Sequence, residues 1–131
     1  MNEDFVDFNL AKKLKDLGFN EPFFFFYRED DKEKYVHHAS ISKPLIYCDK
    51  IDNEVIIAPT ISQVLKWLRE EHATHIEISL GRNGWYFEII QYEYYEEENE
   101  YDCKLITVSV INDSYEESAI AGIEYTLYNL I

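Results

Sequence analysis

Ala58-Pro59-Thr60-Ile61-Ser62-Gln63-Val64-Leu65-Lys66-Trp67-Leu68-Arg69-Glu70-Glu71-His72 reads as a complete amphipathic helix with its own start signal. Pro59 stops the extended run before it. Thr60 is the expected N-cap, and Gln63 stands three residues on as its capping-box partner, supplying side-chain partners to backbone groups that the first turn leaves open. Ile61, Val64, Leu65 and Leu68 fall at i, i+3, i+4 and i+7, with Trp67 flanking that stripe. Lys66, Arg69, Glu70 and Glu71 form the wet side. A helix striped in this way must bury its apolar side against another element.

The residues that follow supply one. Thr74 to Leu80 alternates as a strand with Ile76, Ile78 and Leu80 inward. Gly81-Arg82-Asn83-Gly84 is a turn in which Asn-Gly is the preferred type I′ pair. Trp85 to Tyr94 is the second arm, with Trp85, Phe87 and Ile89 on one face and Tyr86, Glu88, Ile90 and Tyr92 on the other. Cys103 to Ile111 returns as a third strand. Asn112-Asp113 turns, and Ser114 with Glu117 makes a second capping box. Ala119, Ile120, Ile123, Leu127, Leu130 and Ile131 stripe the last helix, where Ala121 and Gly122 are small enough for a close approach.

Toward the N-terminus, residues 7–18 form a first helix capped by Asp7, striped by Leu10, Leu14 and Leu17, and ended by Gly18, with Phe19 folding back onto its last turn. Phe23 to Tyr27 is an unbroken aromatic run, expected as a central strand buried on both faces. Arg28 to Lys34 reads as a solvated hairpin loop. Residues 35–47 hold strand-like pieces broken by Pro44, which suits an edge strand or irregular loop. Val55 to Ala58 is a short strand. The expected fold is one α+β domain over residues 1–131, an antiparallel sheet with about three helices on one face, its C-terminal half in helix-strand-strand-strand-helix order.

Composition bounds what such a domain does. The chain of 131 residues is 47% hydrophobic and 16% aromatic, which supports a core. Its net charge is −14, and the imbalance is concentrated: residues 83–131 carry eleven acids and a single base, Lys104. Such a field repels phosphate backbones and anionic membranes and favours basic partners or solubility. The N-terminal stretch is acidic where a secretory signal would be basic, and no apolar run approaches the roughly 18 residues of a membrane span, so a cytoplasmic protein is expected. Cys48 and Cys103 are then expected as reduced thiols, with a disulfide between them left open.

Sites for chemistry are sparse. His37 and His38 are adjacent and face opposite ways on a strand, and His72-x-x-His75 with Cys48 falls short of the four ligands of a structural zinc. His72 is better placed to meet the negative end of its own helix. Neither Gly-x-Ser-x-Gly nor a phosphate-binding glycine loop occurs. No cofactor or metal is expected. The most unusual local composition is Tyr92-Glu93-Tyr94-Tyr95-Glu96-Glu97-Glu98-Asn99-Glu100-Tyr101. It suits the tip of a long hairpin, with tyrosines pairing across strands. It also suits a docking surface, tyrosine supplying contact area and glutamate steering a basic protein partner. Tyr92, Tyr94, Tyr95, Glu96, Glu97, Glu98 and Tyr101 are the candidate binding residues. Mimicry of a nucleic-acid backbone is the alternative and an unrecognised enzyme the third reading.

From Thr60 the order resembles a double-stranded RNA-binding domain. That family grips phosphates with lysines opening its last helix, and here the helix opens Ser114-Tyr115-Glu116-Glu117, so direct nucleic-acid contact by that mode is disfavoured. Four segments together resemble a group of small uncharacterised proteins of gut Bacteroidetes genomes and their prophages. These are Leu10 to Phe19, Ala58 to Glu71, Gly84 to Ile89, and Tyr115 to Ile131 with its Tyr-Glu-Glu-x-Ala and Leu-x-Asn-Leu-Ile elements. The resemblance implies a prophage or mobile-element origin and carries over no catalytic residue. The combined expectation is a non-catalytic accessory protein that docks a protein partner, through the acidic stretch or by self-association as a homo-oligomer.

Overall fold

A computed structural model describes residues 5–21, 25–28, 37–38 and 55–131. It is an α+β structure whose described strands, β1 to β6 in chain order, all pair antiparallel. They form two three-stranded sheets, and the chain divides into two compact units, Met1–Thr60 and Ile61–Ile131.

The first unit contains α1 (Phe8–Asp16), β1 (Phe25–Arg28), β2 (His37–His38) and β3 (Val55–Ile57). Asp7 caps α1 as its sequence requires, its carboxylate accepting from the Leu10 N–H at 2.8 Å. At the other end Gly18 takes φ +90, the Phe19 N–H donates to the Leu14 carbonyl at 2.9 Å, and the Gly18 N–H to the Lys15 carbonyl at 3.1 Å. This pair of bonds is the Schellman arrangement, which satisfies carbonyls the last turn would leave open. Phe19 is buried as a result of that reversal. β1 is the middle strand, with β2 and β3 on either side. Phe25, Phe26 and Tyr27 of the aromatic run are thus central, as their lack of alternation predicts, but the expected burial on both faces is not met: Tyr27 is buried while Phe25 and Phe26 are half-buried. Leu10, Ala11, Leu14, Ile56 and Tyr27 build the core, and the Tyr27 hydroxyl donates to the Val6 carbonyl at 2.6 Å. Arg28, expected to open the loop 28–34, is instead the last residue of β1 and pairs with Val55; the rest of that loop, the Pro44 region, and Cys48 with any pairing of its thiol lie outside the described residues.

The second unit has the expected order: α2 (Ile61–His72), β4 (Thr74–Gly81), β5 (Gly84–Tyr95), β6 (Glu100–Val108) and α3 (Tyr115–Asn129). α2 starts directly after Thr60, and Ile61, Val64, Trp67 and Leu68 are buried. β5 is the central strand of a meander, paired over Thr74↔Gln91 to Gly81↔Gly84 with β4 and over Glu88↔Val108 to Tyr95↔Glu100 with β6. α3 packs on β4 and β5, burying Ala119, Ile123 and Leu127 near Ile76, Phe87 and Ile89. Gly122 makes the approach close, because a Cβ there would lie 2.8 Å from Ile76 Cγ2 and 3.2 Å from Phe87 Cγ. Ser114 Oγ accepts from the Glu117 N–H at 3.1 Å, while the Glu117 carboxylate reaches back to the Asp113 N–H at 3.2 Å.

Several readings differ from the structure: the single expected sheet is two, and the third strand of the second unit begins at Glu100 rather than Cys103. The tight loop is Arg82-Asn83 rather than Asn-Gly, and neither residue has positive φ, so the turn is not type I′; Gly84 alone takes φ +144. The backbone at 111–112 decides this. Trp85 and Asn112 exchange both backbone hydrogen bonds, and a Cβ on Gly84 would lie 2.5 Å from Ile111 Cγ2. Leu80, read as inward, is 66% exposed. Alternation sets which face a residue takes, not how far along the strand a helix covers it.

Candidate functional site

The acidic, tyrosine-rich stretch is the far half of the β5–β6 hairpin. Two departures from regular pairing shape it. A register shift lies between Ile89 and Ile90, where Ile89 opposes Thr107 and Ile90 opposes Leu105. Such a bulge bends and twists the strand that carries the extra residue. In addition, β4 stops pairing at Thr74↔Gln91, whereas β5 and β6 continue to Tyr95↔Glu100. Among the described residues the last stretch is therefore a two-stranded ribbon. Its base is pinned by the Tyr92 hydroxyl, which donates to the Arg69 carbonyl of α2 at 2.5 Å, and by the Tyr92 N–H, which donates to Ala73 at 3.0 Å.

Alternation and register sort the candidate residues. Tyr92, Tyr94 and Tyr101 share a face, with ring centroids 5.9 Å apart for Tyr92–Tyr101 and 4.8 Å for Tyr94–Tyr101. Tyr94 and Tyr101 are 45% and 64% exposed. Tyr95 points to the other face, and its hydroxyl donates to Glu93 at 3.1 Å. That hydrogen bond and the charge of the same carboxylate hold the Tyr95 phenol above its ordinary value. Glu96, Glu97 and Glu98 form the exposed turn, closed by the Asn99 N–H donating to Glu96. Asn99 takes φ +52 there and accepts a hydrogen bond from the Tyr94 hydroxyl. Asparagine tolerates that conformation better than most residues.

The linear reading missed residues that only pairing brings in. Cys103, Leu105 and Val108 join Ile90 on the face of Tyr94 and Tyr101, with Leu105 54% and Val108 51% exposed. The alternation Tyr101-x-Cys103-x-Leu105 was the available signal. It went unread because the strand was expected to begin at Cys103, after the acidic run.

The histidines of the second unit take separate partners. The His72 ring packs edge-on against Trp67 with centroids 4.5 Å apart, and His75 meets Glu77 at 2.7 Å. Among the described residues no three His, Cys, Asp or Glu side chains converge on a metal position. Cys103 is a free, exposed thiol. No described helix is long and apolar enough to cross a membrane. Comparisons with protein families, with curated proteins and with solved structures find no match to this chain.

Proposed function

We propose that this chain is a non-catalytic accessory protein of prophage type, acting in the cytoplasm, that docks a basic protein partner through the far half of the β5–β6 hairpin. The observation that carries the reading is the packed, exposed pair Tyr94–Tyr101 beside the carboxylates of Glu96, Glu97 and Glu98. Tyrosine gives large contact area for little lost rotamer freedom, and carboxylates at the rim steer a cationic surface and raise its rate of encounter. Mixed aromatic and acidic character favours docking over mimicry of a nucleic acid, which calls for an uninterrupted line of carboxylates.

The test is affinity capture from a Bacteroidetes lysate with three baits: the wild type, Glu96→Lys/Glu97→Lys/Glu98→Lys, and Tyr94→Ala/Tyr101→Ala. The reading requires a basic protein that the wild type retains and both variants lose. Equal recovery by all three baits refutes it.

A further inference from the structure

β6 is the outer strand of its sheet, and among the described residues nothing pairs with its free side. Such an edge is a template for another strand. The hydrogen bonds show which residues offer their backbone to it. The Tyr92 N–H is used on the β4 side, by the Ala73 carbonyl. In an antiparallel ladder a residue bonded to one neighbour turns its backbone from the other. Tyr92 and its partner Cys103 are therefore a non-hydrogen-bonded pair, and Cys103 turns its N–H and C=O to the open edge. By alternation Tyr101 and Leu105 do the same, while Asp102 and Lys104 bond inward to β5.

The segment is self-complementary about Cys103. Antiparallel pairing with a second copy, with the two-fold axis at Cys103, sets Asp102 opposite Lys104 twice and Tyr101 opposite Leu105 twice. Within one copy Asp102 lies directly across from Glu93, a like-charged pair that destabilises a sheet. Lys104, the single base among residues 83–131, lies across from Gln91. The pairing brings Lys104 of each copy beside Asp102 of the other, so a base flanks each crowded carboxylate. On the opposite face it joins the exposed Tyr101 and Leu105. The paired segment ends before the bulge at Ile106, and the antiparallel sense sends the two glutamate tips to opposite ends.

We infer that two copies of this chain join β6 to β6, antiparallel about Cys103, into one continuous sheet of six strands. This goes beyond the docking reading; it leaves Tyr94 and the Glu96–Glu98 tips free for it, while Tyr101 borders both surfaces. Sedimentation equilibrium on the full chain tests it. The wild type is a dimer, Lys104→Glu dissociates about tenfold more readily or worse, and Asp102→Lys/Lys104→Asp, which restores the opposite charges, restores the dimer. A wild type that stays monomeric at every concentration overturns the inference, as does a dimer untouched by Lys104→Glu. Hydrogen exchange on the wild type decides the matter if a variant fails to fold. The Tyr101, Cys103 and Leu105 amides exchange fast in dilute and slowly in concentrated samples, and concentration-independent rates overturn the inference.

Discussion

Ala73 ends α2 in the left-handed region, at φ +47, where a side chain is strained and glycine is not. Ala73→Gly should therefore stabilise the protein by about 1 kcal/mol in urea unfolding, against the usual penalty for added glycine. Gly84 is the reverse case. Its φ and the contact with Ile111 both exclude a side chain, so Gly84→Ala should cost about 2 kcal/mol or more by the same measurement. Tyr27 links stability to pH. Burial, and secondarily the charge of Asp7, raise its phenol above the ordinary 10.0. The unfolded chain then releases this proton at lower pH than the folded one, so its contribution is intact below pH 10 and is lost as pH rises toward the folded value. Tyr27→Phe should cost about 1 kcal/mol at neutral pH through the lost hydrogen bond to Val6. It should also flatten the alkaline decline, and an unchanged slope would show that another group causes it.

At the scale of elements, the interface between α3 and its sheet depends on what is missing. Helix propensity alone says Gly122→Ala gains about 1 kcal/mol. The approach to Ile76 and Phe87 says otherwise, since overfilling a packed core costs about 1–3 kcal/mol. The net change should be destabilising, seen as a lower midpoint in thermal unfolding by circular dichroism. Elements of this kind were legible in the sequence where a short local signal decides them. Asp7 and Gly18 bracket α1, Ser114 caps α3, and Phe25, Phe26 and Tyr27 lie in the middle strand of their sheet. The hairpin loop was not legible, because a local Asn-Gly preference yields to a contact with residues almost thirty positions on, at Asn112. The candidate site was half legible. Composition marked Tyr92 to Tyr101, but register decided that Tyr95 leaves the cluster and that Leu105 and Val108 enter it.

For the whole molecule, charge is the governing property. At −14 the folded chain repels itself more than the expanded one does, and salt screens that repulsion. The melting temperature at pH 7 should therefore rise between about 0.01 and 0.15 M sodium chloride, where the Debye length falls from about 30 to 8 Å. A fall would mean that ion pairs outweigh the global field. Lys66–Glu70 at 3.9 Å is an exposed contact and should add little against that field. The same field acts on the ribbon beyond Gln91, which within one copy and among the described residues has no third strand to back it and carries Glu96, Glu97 and Glu98 at its exposed turn. A ribbon of two strands is marginal by itself. Held at Tyr92 and, among the described residues, unbacked at Glu97, it should act as a cantilever, stiffer at its root than at its end. The tip can then adjust its angle to an incoming surface without disturbing the helices that hold the root.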